Sequence, residues 1–184
     1  IYAHLTYDGE HTCFSSLPGM RDRTLLMNGF SKAYAMTGWR IGYACGPKPV
    51  IDAMVRIHAY TALSAPIGGQ IGAIEALKNC EHEMRGMMRE YDQRRRIFIR
   101  GLNDIGLPCF EAKGAFYAFP SIAGTGLTSK QFSQALLFEE KVAAVPGTAF
   151  GPCGEGHLRC TYATSMDSLK EALSRMERFL GRLA

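Results

Sequence analysis

One long amphipathic helical pattern, from Glu81 to about Leu102, divides this sequence into two parts. Charged residues alternate with apolar ones at helical spacing, and Gly106 and Pro108 follow as stop signals. The part before this helix alternates strand-like runs with helical patterns, which is typical of an α/β sheet domain. The part after it has the short strands and helices of a smaller α+β layer. We therefore predict an α/β protein in which this helix bridges the two parts.

Apolar runs and turn signals predict the remaining elements. Strands are predicted at residues 1–7, 23–30, 39–46, 109–112, 115–122, 142–147 and 157–163, and helices at 50–63, 67–79, 129–141 and 166–183. The run at 23–30 is rich in apolar residues, so this strand is expected to be buried on both faces. The helix at 67–79 is predicted to follow a Ser64 cap, with Pro66 in its first turn. The helix at 129–141 is predicted to be capped by Thr128 or Ser129.

The composition is that of an ordinary globular chain, with 47% apolar and 21% charged residues. The net charge of +4 is spread along the sequence. Its densest run, Arg94 to Arg96, lies where acids and bases interleave, which favours a solvated helix face over a nucleic-acid patch. Apolar stretches are short and interrupted, so no membrane span is predicted. We expect neither a nucleic-acid partner nor a membrane.

The cysteines and histidines show no metal-ligand spacing. Six cysteines contain no CxxC pair, and five histidines are scattered singly. Reduced thiols and a cytoplasmic location are expected, because the sequence has no secretory signal pattern. The sequence opens on an apolar run at Ile1 with no preceding element, so we expect it to be a piece of a longer protein.

Lys32 lies in the stretch NGFSKAYAMTGWRIGYACGP, residues 28–47, among small and apolar neighbours. Desolvation lowers the pKa of a buried lysine, and a neutral amine is a nucleophile toward aldehydes. Arg40, eight residues later, offers a planar fork of N–H donors that suits a phosphate. An aldehyde and a phosphate together describe pyridoxal phosphate. The spacing alone leaves open a lysine that extends to solvent and a surface arginine.

Several motifs together resemble one family. The stretch GFSKAYAMTGWRIG is similar to the lysine-attachment signature of the class I/II, fold-type I, pyridoxal-phosphate-dependent aminotransferases. IYAHLTYDG resembles a strand of that family, GAFYAFP a strand of its small domain, and VAAVPGTAFG with GHLRCTYATS its closing segment. The resemblance covers essentially the whole chain and is nearest to the aspartate and aromatic aminotransferase subgroup.

The resemblance implies the fold and its division into domains. The fold would be the C-terminal part of the pyridoxal-phosphate-dependent transferase fold, with the end of the large-domain sheet, a bridging helix and an α+β small domain. Residues 1–85 would belong to the large cofactor-binding domain and residues 86–184 would form the small domain. Family members are typically homodimers.

The resemblance also implies roles for individual residues of the cofactor site. Lys32 would form the Schiff base with pyridoxal phosphate and then move the proton between the substrate Cα and the cofactor. Arg40 would pair with the phosphate, helped by the Gly29 backbone and the Ser31 hydroxyl. Tyr2 would donate a hydrogen bond to the cofactor's O3′. From the residues alone, Tyr2 on an alternating strand can also be a core residue.

Arg159 corresponds to the arginine that binds the substrate α-carboxylate in the family. It stands in an apolar strand, and a buried arginine needs an anion. The adjacent Cys160 is interpreted as a packing residue and not as a nucleophile. The aspartate that protonates the cofactor's pyridine nitrogen would precede Ile1, so this chain alone is not expected to turn over.

The reaction implied is transfer of an amino group between an amino acid and a 2-oxo acid. Two alternatives use the same fold: a C–S lyase or synthase, and the effector domain of a pyridoxal-phosphate-dependent transcription regulator. An isolated interaction module is disfavoured because a half-finished sheet edge would be exposed. Phe116, Tyr117 and residues 145–150 are candidates for the substrate pocket. The amino-donor preference does not follow from the sequence.

Overall fold

The structure is a computed structural model and describes residues 1–183. Within it the chain separates into two compact units, Ile1–Met88 and a second unit from Arg89 onward. The domain limits proposed above, 1–85 and 86–184, stay a prediction, because compactness does not show that a part folds independently. Among the described residues, no helix is both long and apolar enough to span a membrane.

The first unit is a two-stranded hairpin followed by helices. Its elements are β1 (Leu26–Gly29), β2 (Gly42–Cys45), α1 (Lys48–Thr61), α2 (Ile67–Asn79) and the beginning of α3 (Glu81–Asp104). The two strands pair antiparallel, with Gly29 opposite Gly42. The loop between them therefore begins and ends at the same edge of the hairpin.

A small core holds this hairpin against α2. Phe30, Met36 and Ile41 are buried together with Ala73 and Ala76 of the helix. Alanine on the helix side lets α2 approach the loop closely, and burial of three large apolar side chains is the main stabilising contribution. Phe30 and Ile41 are direct sequence neighbours of Ser31 and Arg40, so this core also holds the loop that carries those two residues.

One strand prediction and one burial prediction in this unit were wrong. Residues 1–7 form a turn, in which Leu5 N donates to Tyr2 O at 2.8 Å, and not a continuous strand. β1 is not buried on both faces. Directly opposed residues of an antiparallel pair share a face, so Met27 and Tyr43 project on opposite faces, and both are exposed. The apolar run correctly predicted a strand, but it did not indicate how much of that strand other elements bury.

The Ser64 cap was also wrong. The backbone of Ser64 donates to Ala62 O at 2.7 Å, and Pro66 occupies the N-cap position without a side-chain cap. The amide of Gln70 reaches back and donates to Ala65 O at 2.8 Å, which ties the preceding loop to the first turn of α2.

The second unit combines a three-stranded antiparallel sheet with helices. Its further elements are β3 (Tyr117–Ala118), α4 (Ser129–Glu140), β4 (Val145–Pro146), β5 (Leu158–Thr161) and α5 (Met166–Leu183). The sheet order is β3-β5-β4, so β5 lies in the middle. Phe132 of α4 packs edge to face on Phe179 of α5, with ring centroids 5.1 Å apart. The two rings form the centre of the helical layer.

Local side-chain chemistry explains where two of these elements begin or fail to form. Thr128 caps α4 as predicted, and Gln131 completes a capping box with it. The strand predicted at 109–112 is not formed. Both backbone polar groups of Cys109 bond to the Asn103 side chain instead, each at 3.0 Å. A helix side chain thus replaces the neighbouring strand that this segment would need.

The prediction that Arg94 to Arg96 form a solvated helix face was wrong for Arg95, which is 1% exposed. Its Nε donates to Asp92 Oδ1 at 2.8 Å and its Nη1 to Ala112 O at 2.6 Å. Glu111 Oε1 lies 3.1 Å from the same Nη1. Three consecutive helical residues span about 200° around the axis, so they cannot share one face.

Candidate active site

The loop between β1 and β2 is compact. Phe30 N donates to Ile41 O at 3.3 Å, which closes the loop just beyond the paired strands. Phe30 O accepts from Tyr34 N at 3.3 Å and from Met36 N at 3.2 Å. These bonds fold residues 31–36 into a turn over the buried Phe30. Backbone bonds and core residues thus fix the loop.

Lys32 lies inside this turn. It is half-buried, like Ser31, while Ala33 beside it is buried. Ala35, with φ 52°, has a left-handed backbone conformation that turns the chain toward Met36. The lysine therefore lies on a turn of the loop and not on a helix face.

Arg40 lies at the other end of the same loop and is exposed. Its backbone is left-handed, with φ 52° and ψ 49°, a conformation that costs a residue other than glycine roughly 1 kcal/mol or more. Nη1 donates to Thr37 O at 2.8 Å. This bond uses one N–H of the guanidinium and fixes its direction, while other N–H groups of the fork remain available to an anion.

Gly29 serves a close approach between strands. A Cβ at this position would lie 3.2 Å from Ile41 O and 3.6 Å from Ile1 Cδ1. Its N–H donates to Asn28 Oδ1 at 2.8 Å, a bond that would have to open before this N–H could reach a phosphate. Ile1 therefore lies near Gly29, and the half-buried Tyr2 follows Ile1 in the chain. The first unit thus brings the predicted cofactor residues to one hairpin and its neighbouring turn.

Arg159 lies on β5 in the second unit and is half-buried. Its Cζ is 4.8 Å from the ring centroid of Tyr117 and also 4.8 Å from that of Phe150. Sequence reasoning named both aromatic residues as pocket candidates but missed their contact with this arginine. No sequence pattern indicated these two contacts, because they depend on the order of the strands in the sheet.

Cys160, adjacent to Arg159, is buried, and its side chain points to the opposite face of the strand. Burial, with a smaller contribution from the nearby Cys109, raises the pKa of Cys160 to about 12. A thiol with this pKa is protonated at neutral pH and is a poor nucleophile. The structure agrees with its interpretation as a packing residue.

The family described as aminotransferase class I and II matches residues 1–176. The chain therefore belongs to the class I and II aminotransferase family. Its mixed α/β structure corresponds to the C-terminal half of fold-type I aminotransferases, as predicted.

Individual relatives support the predicted subgroup. The protein YugH of Bacillus subtilis is 54% identical over 98% of this chain and 47% of its own length. The aspartate aminotransferase of Pyrococcus abyssi is 47% identical, over 98% of this chain and 47% of its own length. The crystal structure of an aromatic aminotransferase from Pyrococcus horikoshii has a TM-score of 0.96 and 46% identity, and the match covers 100% of this chain and 50% of that chain. The chain spans about half the length of the curated relatives it matches.

Proposed function

We propose that this chain supplies the lysine-bearing part of an active site that transfers an amino group between an amino acid and a 2-oxo acid. The observation that carries the proposal is the single hairpin loop that holds both Lys32 and Arg40, fixed by a core shared with α2. Membership in the aminotransferase family supports the reaction class.

The donor set of the loop fits pyridoxal phosphate. A guanidinium with free N–H groups suits a phosphate dianion, and the amine of Lys32 suits an aldehyde. The left-handed backbone of Arg40 strengthens this interpretation. Glycine would occupy that conformation at no steric cost, so the arginine contributes something that only its side chain can supply.

Arg40 would bind the phosphate with the N–H groups that Thr37 O leaves available, and Ser31 would add a hydroxyl. Gly29 would keep the backbone close to the phosphate, and Tyr2 would donate to the oxygen at ring position 3. These contacts would hold the cofactor's aldehyde carbon in one position relative to Lys32.

When bound, pyridoxal phosphate supplies an electron sink that makes the α-hydrogen of an attached amino acid acidic. Lys32 would hold the cofactor through its Nζ, and the same amine would move a proton at the substrate Cα. Arg159 would bind the substrate α-carboxylate through two parallel N–H donors. That bidentate contact would fix the orientation of the carboxylate.

We expect Lys32 to be the residue modified when the chain is incubated with pyridoxal phosphate, reduced with borohydride and mapped by peptide mass. Reduction converts a lysine C=N bond into a stable amine, so the adduct records the attachment site. The adduct should approach one per chain, disappear in Lys32→Ala, and persist in Lys48→Ala. Lys48 is a suitable control because it is exposed and pairs with Asp52 at 2.6 Å. Adducts spread over surface lysines, and unchanged in Lys32→Ala, would contradict the assignment.

Arg40→Gly is expected to separate stability from cofactor binding. Glycine relieves the left-handed backbone, so the free energy of unfolding should stay unchanged or rise by about 1 kcal/mol. The affinity for pyridoxal phosphate, measured by absorbance titration, should fall by about tenfold or more, because a charge-assisted bidentate contact is lost. Arg40→Lys keeps the strain and the charge but not the fork, so its affinity should be intermediate. Equal affinity in all three proteins would remove Arg40 from the site.

We also propose that the amino donor and acceptor are an amino acid and a 2-oxo acid, that the working enzyme is a homodimer, and that it is cytoplasmic. All six cysteines are free, which supports a reducing compartment. The P. abyssi and P. horikoshii relatives are named as aminotransferases, which favours amino transfer over a C–S lyase, a synthase or a regulator domain. Release of ammonia and pyruvate from an amino acid, in place of amino exchange with a 2-oxo acid, would reverse that preference.

A further inference from the structure

Two aromatic rings contact the Arg159 guanidinium from both neighbours of its strand. Tyr117 lies on β3, which pairs with one side of β5, and Phe150 lies in the 3₁₀ turn that follows β4 on the other side. Each ring centroid is 4.8 Å from Arg159 Cζ. We propose that Tyr117 and Phe150 are positioning residues that orient this guanidinium for the substrate carboxylate, an inference that rests on the proposed function.

The physical reason lies in the shape of the guanidinium. Aromatic rings attract the flat face of an arginine, whereas a carboxylate binds its N–H edge. Arg159 Cζ lies over both rings. Rings that pack on the guanidinium face hold the group without competing for the donors that the substrate needs. A free arginine side chain has many rotamers, and restricting it before the substrate arrives lowers the cost of ordering it on binding.

Both rings are themselves held in place. The Tyr117 ring is 4.8 Å from that of Phe116, and the backbone of Tyr117 pairs with Thr161 of β5. The Phe150 ring contacts Phe119 edge to face at 6.5 Å, and Phe119 stacks on His157 at 5.2 Å. The clamp of Tyr117 and Phe150 is thus built on strand pairing on one side and on an aromatic row on the other.

Phe150 is a suitable residue for a test, since it is 54% exposed. Its replacement removes little buried surface, so the unit is expected to stay folded. Phe138 of α4 is a matched control: it is an aromatic residue of the same unit, 71% exposed, and has no part in the aromatic row described above.

The test follows the Nε–Hε resonance of Arg159 in the ¹⁵N-labelled chain, assigned by its loss in Arg159→Lys. The order of the guanidinium is measured by ¹⁵N relaxation, and carboxylate binding by titration with propionate against chloride at constant ionic strength. Tyr117→Leu and Phe150→Leu should each make the guanidinium more mobile and weaken propionate binding by about two- to fivefold. Tyr117→Phe and Phe138→Leu should match the native chain.

Leucine variants with native guanidinium order and native propionate affinity would overturn the positioning role, whatever Arg159 binds. A native chain with an ordered guanidinium but no saturable response to propionate would overturn the carboxylate-binding role of Arg159, and the inference with it. The two failures are distinguishable, because order and binding are measured on the same resonance.

Discussion

Gly154→Ala is expected to lower the free energy of unfolding by about 3 kcal/mol or to prevent folding of the second unit. A Cβ at this position would overlap the carbonyl group of Gly147 and lie 3.1 Å from its Cα. The contact is reciprocal: a Cβ at Gly147 would lie 2.9 Å from His157 O and would overlap the Gly154 carbonyl. Both obstacles are buried backbone, which cannot move aside as the end of a flexible side chain can.

Gly181→Ala is the matched control, measured with Gly154→Ala by urea denaturation. Gly181 lies in α5 and nothing lies within 4 Å of a Cβ there, so alanine should stabilise the helix by up to about 1 kcal/mol. A Gly154→Ala chain as stable as the native chain would contradict the contact between the two glycines. The loop that this contact holds also carries Phe150, so its loss is expected to disturb the Arg159 guanidinium as well.

Arg95→Ala is expected to lower the free energy of unfolding by about 2–3 kcal/mol, because a buried carbonyl loses its donor and a buried side chain is truncated. The substitution removes a buried cation that bonds to Asp92 and to Ala112 O; Ala112 O loses this donor, and Asp92 keeps its bond from Arg96. It also removes the bond that ties Ala112 to α3, while Asn103 still holds Cys109. The effect is measurable by urea or thermal denaturation.

Arg96→Ala is the control for Arg95→Ala. Arg96 pairs with the same carboxylate, Asp92, at 3.0 Å, but its side chain is 65% exposed. Exposed pairs contribute about 0–1 kcal/mol, so this variant should be close to native. Equal losses of unfolding free energy in the two variants would show that burial does not explain the contribution of Arg95 to stability.

Arg95→Ala should also change how the free energy of unfolding depends on pH in the acidic range. Burial acts to raise the pKa of Asp92, but hydrogen bonds from Arg95 and Arg96 outweigh it and hold the pKa below its ordinary value. A lowered pKa means that the contribution of the pair is complete above the ordinary pKa of aspartate and is lost as the pH falls. Arg95→Ala should therefore show a weaker loss of stability on acidification than the native chain.

The helices were predictable because their signals are local. α3 was predicted at 81–102 and spans Glu81–Asp104, and the Thr128 cap follows from a side chain that bonds only three residues away. Strands were predicted less well, since pairing depends on distant partners. The segment 109–112 has a strand-like sequence, yet a helix side chain takes the bonds of Cys109.

The same distinction applies to the candidate site: one part of it was predictable from the sequence and another part was not. Lys32 and Arg40 stand close in sequence, and the loop that carries both was recognisable from one continuous motif. The aromatic contacts of Arg159 were not, because Tyr117 and Phe150 reach it only through the strand order β3-β5-β4. Phe150 is nine residues from Arg159, about as near as Lys32 is to Arg40, but no continuous motif links it to Arg159.

The sequence by itself determined the family, the helices and the loop that bears the lysine, since each rests on residue types at short, definite spacing. Only the tertiary structure decided which of three adjacent arginines is buried, which aromatic rings contact Arg159, and where two glycines touch. The physical reason is that burial and packing are properties of surfaces brought together by folding. Neighbours along the chain do not specify them.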